Sequence, residues 1–390
     1  MLSNIIRMGT LLVIMVLVTA EVAAKDDAFR IGGVVALSGT YGVIGEETRK
    51  GAELAIEVRG GKVLGVPIQA IWEDSETKPQ IAVQKATIVI SKGAHMLLGA
   101  TASGETLAVM KQAELRKIPM LVTVSADDDV TGKLRNRYTF RTSNDAASEV
   151  KMIIEYLRQS KYKKIYGVAA DYGTTRDMLA AVKAGLEKDA TYVGEDFPPF
   201  GSKDYAIIIN RIVSSGADAA VIITGGSDSI TFMKQSEEIK LREKVKFVGA
   251  ILSDEALAKA AGPGSLGSMS AVRYHFSLDT PANKDFVARF KAKYGEYPTP
   301  FAGETYDGLS WWLDMVEKTG VWDREKWIDA FETSVRENSL EGRKIMRACD
   351  HQAQQIGIFA ETVKGQAPLP EYTMKIRRVF KAEEIARPCP

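Results

Sequence analysis

Two hydrophobic rhythms alternate along this chain. Short runs dominated by apolar residues occur at 31–37, 66–72, 96–99, 120–123, 164–169, 191–198, 219–224 and 246–250. Such runs read as strands buried on both faces. Between them, apolar residues recur three and four apart, which predicts helices over 48–59, 79–92, 105–116, 145–159, 174–188, 204–214, 230–239 and 255–261. Strand and helix in strict turn predict βαβ crossovers, hence an α/β protein with parallel sheets covered on both sides. Pro79 suits the first turn of one helix. Gly93-Ala94 and Gly216-Ala217 suit the ends of two others.

The same unit occurs twice. Ser91 to Gly99 and Ser215 to Ile223 each run from a helix end into a buried strand, and each strand is followed by a small, polar loop. Two such α/β lobes predict a ligand site in the cleft between them. The chain should pass between lobes near 141–144, again around 271–276, and a third time around 339–347. That gives a first lobe of 25–142 plus 275–340 and a second of 143–274 plus 341–390. Several crossings make a hinge suited to clamshell closure. The stretch 304–319, carrying Tyr306, Trp311, Trp312 and Met315, reads as a core helix of the first lobe.

Chemistry is sparse at the most telling place. Residues 38–45 form a Gly/Ser/Thr loop between the first strand and its helix, where backbone N–H groups and hydroxyls can converge on an anion. No phosphate-loop Lys, nucleophile elbow or His accompanies it. The Gly-rich 261–264 has neither the spacing nor the Lys of a phosphate loop, and Gly32-Gly33 is no dinucleotide fingerprint. His95, His275 and His351 are scattered, which speaks against a metal site or a Ser/His/Asp triad. The pattern is one for holding a molecule, and an enzyme is not expected.

Residues 1–24 have the anatomy of a secretory signal peptide: Arg7, an apolar stretch over 11–18, and small residues at Val22-Ala23-Ala24. With no Cys after the apolar stretch, a lipid anchor is not expected. The chain carries 51 basic and 50 acidic residues, a net charge of +1, which offers no electrostatic case for nucleic acid. Cys349 and Cys389 are the two cysteines. In an oxidising compartment a bridge between them is expected, stabilising by roughly 3 to 4 kcal/mol; the alternative is two free thiols.

Read together, these residues resemble the type I periplasmic solute-binding proteins of ABC importers, in the leucine/isoleucine/valine-binding branch. The resemblance is carried by Ile31 to Gly39, Gly45 to Ile56, Ile118 to Met120, Phe140 to Thr142, Asp171 to Gly173, Lys203 to Tyr205 and Ala302 to Gly308. It spans nearly the whole exported chain. It implies two Rossmann-like lobes on a multi-crossing hinge, a small carboxylate ligand in the interlobe cleft, no cofactor, and delivery by a periplasmic monomer to a membrane permease.

By the same resemblance, the ligand carboxylate is held by the loops after the third and fourth strands. That assigns Ala102, Ser103 and Thr106 from the first loop, and Val124, Ser125 and Ala126 from the second. Ser103 and Thr106 would donate hydroxyls beside a helix N-terminus, a role compatible with Ser103 capping that helix. Tyr172 would pack on the ligand from the second lobe and Tyr41 would line its side-chain pocket. Thr224, Gly225 and Ile251 complete the far wall.

One departure matters. Amino-acid binders of this family place an acid just after a second-lobe strand to meet the ligand ammonium, and here Ala250 and Ile251 stand at that point. An unpaired ammonium in a dry cleft is costly. Asp254 or one of Asp127, Asp128 and Asp129 could reach in, or could simply cap helices or face water. The expected ligand is therefore an aromatic or short aliphatic acid in preference to a branched-chain amino acid. A stand-alone sensor of the same fold is the alternative.

Overall fold

The computed structural model describes residues 26–389, so the leader read over 1–24 lies outside the described residues. Every strand and helix expected between 31 and 261 forms, with ends shifted by a few residues. The largest shift is at the first helix, which spans Gly42–Val58 and absorbs half of the expected loop. Gly45 reads as a loop residue but serves close packing. A Cβ on Gly45 would sit 1.8 Å from the Ala36 carbonyl oxygen.

Two sheets organise the molecule. The first has six strands in the order Lys62–Val63, Val66–Asp74, Phe29–Val35, Met96–Gly99, Met120–Val122, Thr139–Arg141. All its pairings are parallel except the first, a hairpin. The second has seven, in the order Tyr372–Phe380, Gly357–Lys364, Met269–Val272, Lys246–Ala250, Ala219–Ile223, Lys164–Ala169, Thr191–Asp196. There the last two strands of the chain add antiparallel to a parallel set. The result is the two-lobed α/β fold of type I periplasmic binding proteins.

The first lobe's core gathers Phe29, Ile31, Leu54 and Phe140 with Tyr306, Trp311 and Trp312 of the Pro300–Thr319 helix. The second lobe's sheet is covered on both faces by separate clusters, around Ile153 and Val221 on one side and Phe232 and Phe247 on the other. Tyr274 and Phe276 already belong to the first core, so the chain re-enters that lobe directly after Val272.

Beyond the Pro300–Thr319 helix the chain builds a third sheet before it returns to the second. Val335–Ser339, Gly342–Met346 and Ala353–Gln354 form a small antiparallel sheet of their own. Leu340, Met346 and Ala353 pack into the first core, and the chain rejoins the second sheet only at Gly357. A buried lysine hides this hairpin from sequence reading. Lys344 is fully buried, with Nζ 3.0 Å from Glu304, 3.2 Å from Asp307 and 2.9 Å from Glu341. Arg336 adds a second cation, 2.7 Å from Asp307. Burial pushes the Glu304 carboxyl up to about 8 against the pull of Lys344, and raises Glu341 as well.

A second buried acid lies apart from any cation. Glu255 is 6 % exposed, and neither carboxylate oxygen has a hydrogen-bond partner. Only its own N–H and that of Met374 ease its charge, so burial, with Asp254 beside it, pushes the carboxyl up to about 8. His275, 3.6 Å away, is held neutral because burial lowers it to about 4. The folded protein thus keeps a proton that the unfolded chain releases near pH 4.5. Stability from this group is present below that pH and is lost as pH rises towards 8. Glu255→Gln is expected to exceed the native protein's stability by about 2 to 4 kcal/mol at pH 8 and to match it near pH 4.5. Urea midpoints at the two pH values measure this, and a difference that does not change with pH would refute it.

Candidate functional site

The cleft lies where strand ends of both sheets face one another. Tyr41 precedes the first helix; Ser103 opens the Ser103–Leu115 helix; Val124, Ser125 and Ala126 follow the Met120–Val122 strand. From the other side come Tyr172, which precedes the Gly173–Gly185 helix, and Ile251, which follows the Lys246–Ala250 strand. All of these line one interlobe cavity, together with Ile44, Met178 and Phe301. Strands ending in loops, with helices starting beyond them, bring the two lobes' polar backbone ends to a common point.

The lobes are shut over this cavity. The Tyr41 and Tyr172 hydroxyls lie 2.9 Å apart across the cleft, and Phe200 meets both rings edge-on at 5.2 Å. Burial and the neighbouring phenol push Tyr41 well above its ordinary range, and burial lifts Tyr172 to about 12, so both stay protonated. The Thr174 hydroxyl donates to the Asp127 carboxylate at 2.5 Å, and the Ser227 N–H donates to the Thr40 carbonyl at 2.9 Å. Gly226 permits that last approach: at φ +56°, a Cβ would lie 2.1 Å from the Thr40 oxygen. The cavity's volume is about 30 Å³, room for two or three waters.

Not every expected residue reaches the cavity. Thr106 is fully buried, and its hydroxyl donates to the carbonyls of Ala100 and Ala102, as a helix threonine readily does. Ala102 packs beside Tyr41, Ile44, Val124 and Phe301, and its N–H is taken by the Glu105 carboxylate at 2.8 Å. The Thr224 hydroxyl pairs with Ser229 at 2.9 Å. Gly225 backs the wall, since a Cβ there would come within 2.9 Å of Ile251 and 3.2 Å of Tyr41. Ile251 holds φ +47°, a strained conformation for a β-branched residue, and it puts the side chain on the cavity wall. The Ser103 and Ser125 hydroxyls are 3.4 Å apart.

Three of the four acids considered as ammonium partners do other work. Asp254 accepts from the N–H groups of Ala256 and Leu257, capping a helix. Asp128 accepts from the Ala147 N–H. Asp127 holds the Asp129 N–H as well as Thr174. The charges that do line the cavity are Glu149 and Arg273, which sequence reading missed. Their clue is an arginine within the apolar segment around Val272 and Tyr274, and an acid one turn past Asp145. Only folding places the two 2.7 Å apart, buried.

A pair of α/β lobes closed on a small lined cavity defines a clamshell binding fold. The chain belongs to the periplasmic binding protein family, whose model matches residues 28–367. Among its relatives, Leu/Ile/Val-binding protein homolog 6 of Brucella melitensis is 26 % identical over 310 residues, covering 77 % of this chain and 79 % of the relative. A solute-binding protein of an ABC transporter from Rhodopseudomonas palustris BisB5, solved with 3,4-dihydroxybenzoic acid, superposes with a TM-score of 0.85 at 24 % identity, covering 92 % and 98 % of the two chains. The leucine-binding protein LivK of Thermotoga maritima superposes at 0.82 with 19 % identity, covering 91 % and 99 %. At these identities the superpositions speak for the fold.

Proposed function

We propose that this chain is the solute-binding component of an ABC importer. It captures a small carboxylate with an apolar or aromatic body in the periplasm and hands it, unchanged, to membrane permease subunits. One observation carries the ligand class. The cavity joins hydroxyl donors at Ser103 and Ser125 to walls of Ile44, Met178, Ile251 and Phe301, while its acid, Glu149, is already paired with Arg273. A ligand ammonium would have to compete for that acid, whereas a carboxylate meets donors. The relatives support both ligand directions: some are named for leucine, isoleucine and valine, and similar folds were solved with benzoate and with 4-hydroxybenzoate.

Capture is mechanical. The closed cavity holds no benzoate-sized guest, so the Tyr41–Tyr172 contact parts on entry and the lobes close again around the ligand. Closure then removes water from the carboxylate's hydrogen bonds and from the apolar body.

A thermal-shift panel of leucine, isoleucine, valine, benzoate, 4-hydroxybenzoate and 4-methylpentanoate tests this. A true ligand at a hundred times its dissociation constant adds about 2.7 kcal/mol of stability. The desamino acids are expected to shift the melt and the amino acids to shift it less; equal shifts from leucine would sink the ligand class. Ser103→Ala is expected to weaken acid binding by about 1 to 3 kcal/mol without lowering the melt of the free protein. Titration calorimetry showing unchanged affinity would remove Ser103 from the site.

A further inference from the structure

We infer that Arg273 is the cationic anchor of the ligand carboxylate, and that Glu149 takes up a proton from solvent when the carboxylate arrives. This deepens the carboxylate-binding reading above and rests on it.

The geometry starts with where Arg273 sits. It is the first residue past the Met269–Val272 strand, where the chain leaves the second lobe for the first. Its Nε donates to Glu149 at 2.7 Å, and its Nη1 donates to the carbonyl of Val124, next to Ser125. Glu149 belongs to the second lobe and Val124 to the first, so one guanidinium ties the lobes together at the cavity wall. A guanidinium carries five N–H donors. Of these, Nε and Nη1 are engaged by Glu149 and by the Val124 carbonyl, and the side chain lines the cavity. Ser103 and Ser125 line the same cavity, so a carboxylate placed there meets a cation and two hydroxyls together.

The charge balance supplies the second half. The groups facing Glu149 are Arg273 from the hinge, Asp145 and Arg141 from the start of its own helix and the strand before, and Tyr172 from the loop opposite. Asp145 is satisfied elsewhere, by Arg387 at 3.0 Å and Arg141 at 3.8 Å. The Glu149–Arg273 pair is therefore neutral by itself. A ligand carboxylate makes the buried group net negative, which a low-dielectric site resists. Protonating Glu149 restores neutrality and leaves the guanidinium for the ligand. Burial already holds the Glu149 carboxyl above its usual range, against the pull of Arg273. A zwitterionic amino acid brings its own balance and needs no proton.

Titration calorimetry in phosphate and in Tris counts the protons, with benzoate, 4-methylpentanoate and leucine as probes. The wild-type protein is expected to take up about one proton per acid bound, and its acid affinity to fall about tenfold per pH unit once free Glu149 has ionised. Glu149→Gln keeps an oxygen for Arg273, and it should bind the acids at pH 8 more tightly than wild type, with no proton uptake and a flat pH profile. Arg273→Gln should weaken acid binding by about 100-fold. If Arg273→Gln fails to fold, the Glu149→Gln profile decides the matter. Acid binding without proton uptake in wild type, or unchanged acid affinity in folded Arg273→Gln, overturns this inference alone. Binding of leucine only, or of none of the three probes, overturns the ligand reading and this inference with it.

Discussion

Lys344→Met is expected to destabilise the protein by about 3 to 5 kcal/mol at pH 8, because removing one partner leaves buried charges without compensation. Glu304, Asp307 and Glu341 all lie within 3.2 Å of the lost ammonium, and none of these side chains is more than 1 % exposed. Arg336 remains to serve Asp307, but Glu304 and Glu341 have no second cation. The acids would then hold protons, so the folded state binds more protons than the unfolded one. The deficit should therefore grow as pH rises from 5 to 8. Urea midpoints across that range measure it. Adding Glu304→Gln to the variant should recover part of the loss, because the removed charge is then matched. A loss below about 1 kcal/mol at pH 8 would show that the cluster is not held by its lysine. The effect has a structural reach: Glu304 also accepts from Gln355, whose amide donates to the Arg273 carbonyl at 3.4 Å. The cluster thus supports the segment where the chain crosses between lobes.

Opening the Cys349–Cys389 bridge, by reduction or by Cys349→Ser with Cys389→Ser, is expected to cost about 3 to 4 kcal/mol in the chain-entropy picture. The bridge closes a loop of 40 residues, with Cα atoms 6.0 Å apart. That loop holds the whole edge hairpin Gly357–Lys364 and Tyr372–Phe380. Its far end carries Ile385 into the second lobe's core and Arg387 to Asp145 and the Asp128 carbonyl. Losing the bridge should expose the tail to proteolysis before the sheets unfold. An unchanged melting curve under reducing conditions, with the thiols titrated as free, would show the tail to be held by packing alone.

How much of this was legible varied along the chain. The part up to 261 could be read closely, since a strand buried on both faces is an apolar run and a helix on a sheet keeps its 3.6 period. The part from 335 onward could not. Its strands are antiparallel, Val335–Ser339 is largely exposed and polar, and the inward side of the Gly342–Met346 strand sets a buried lysine beside Met346. Within the site, Tyr41, Ser103, Val124, Ser125, Ala126, Tyr172 and Ile251 came from motif resemblance, and each lines the cavity. Thr106 did not, because motif matching places a residue on a helix turn without saying whether its hydroxyl turns inward to the helix carbonyls.

By itself, the sequence determined the repeated α/β rhythm, the two lobes with a cleft between them, and small-residue polar loops after several of the strands. These follow from local periodicity and side-chain size, which neighbours in sequence specify. Only the tertiary structure decided the charges in the cleft. Glu149 and Arg273 are 124 residues apart in sequence, and no local pattern marks them as partners. Their pairing depends on how the hinge segment threads between the lobes, and the same threading buries Lys344 among three acids. Electrostatic partners are chosen by distance in space, and distance in space is what the fold supplies.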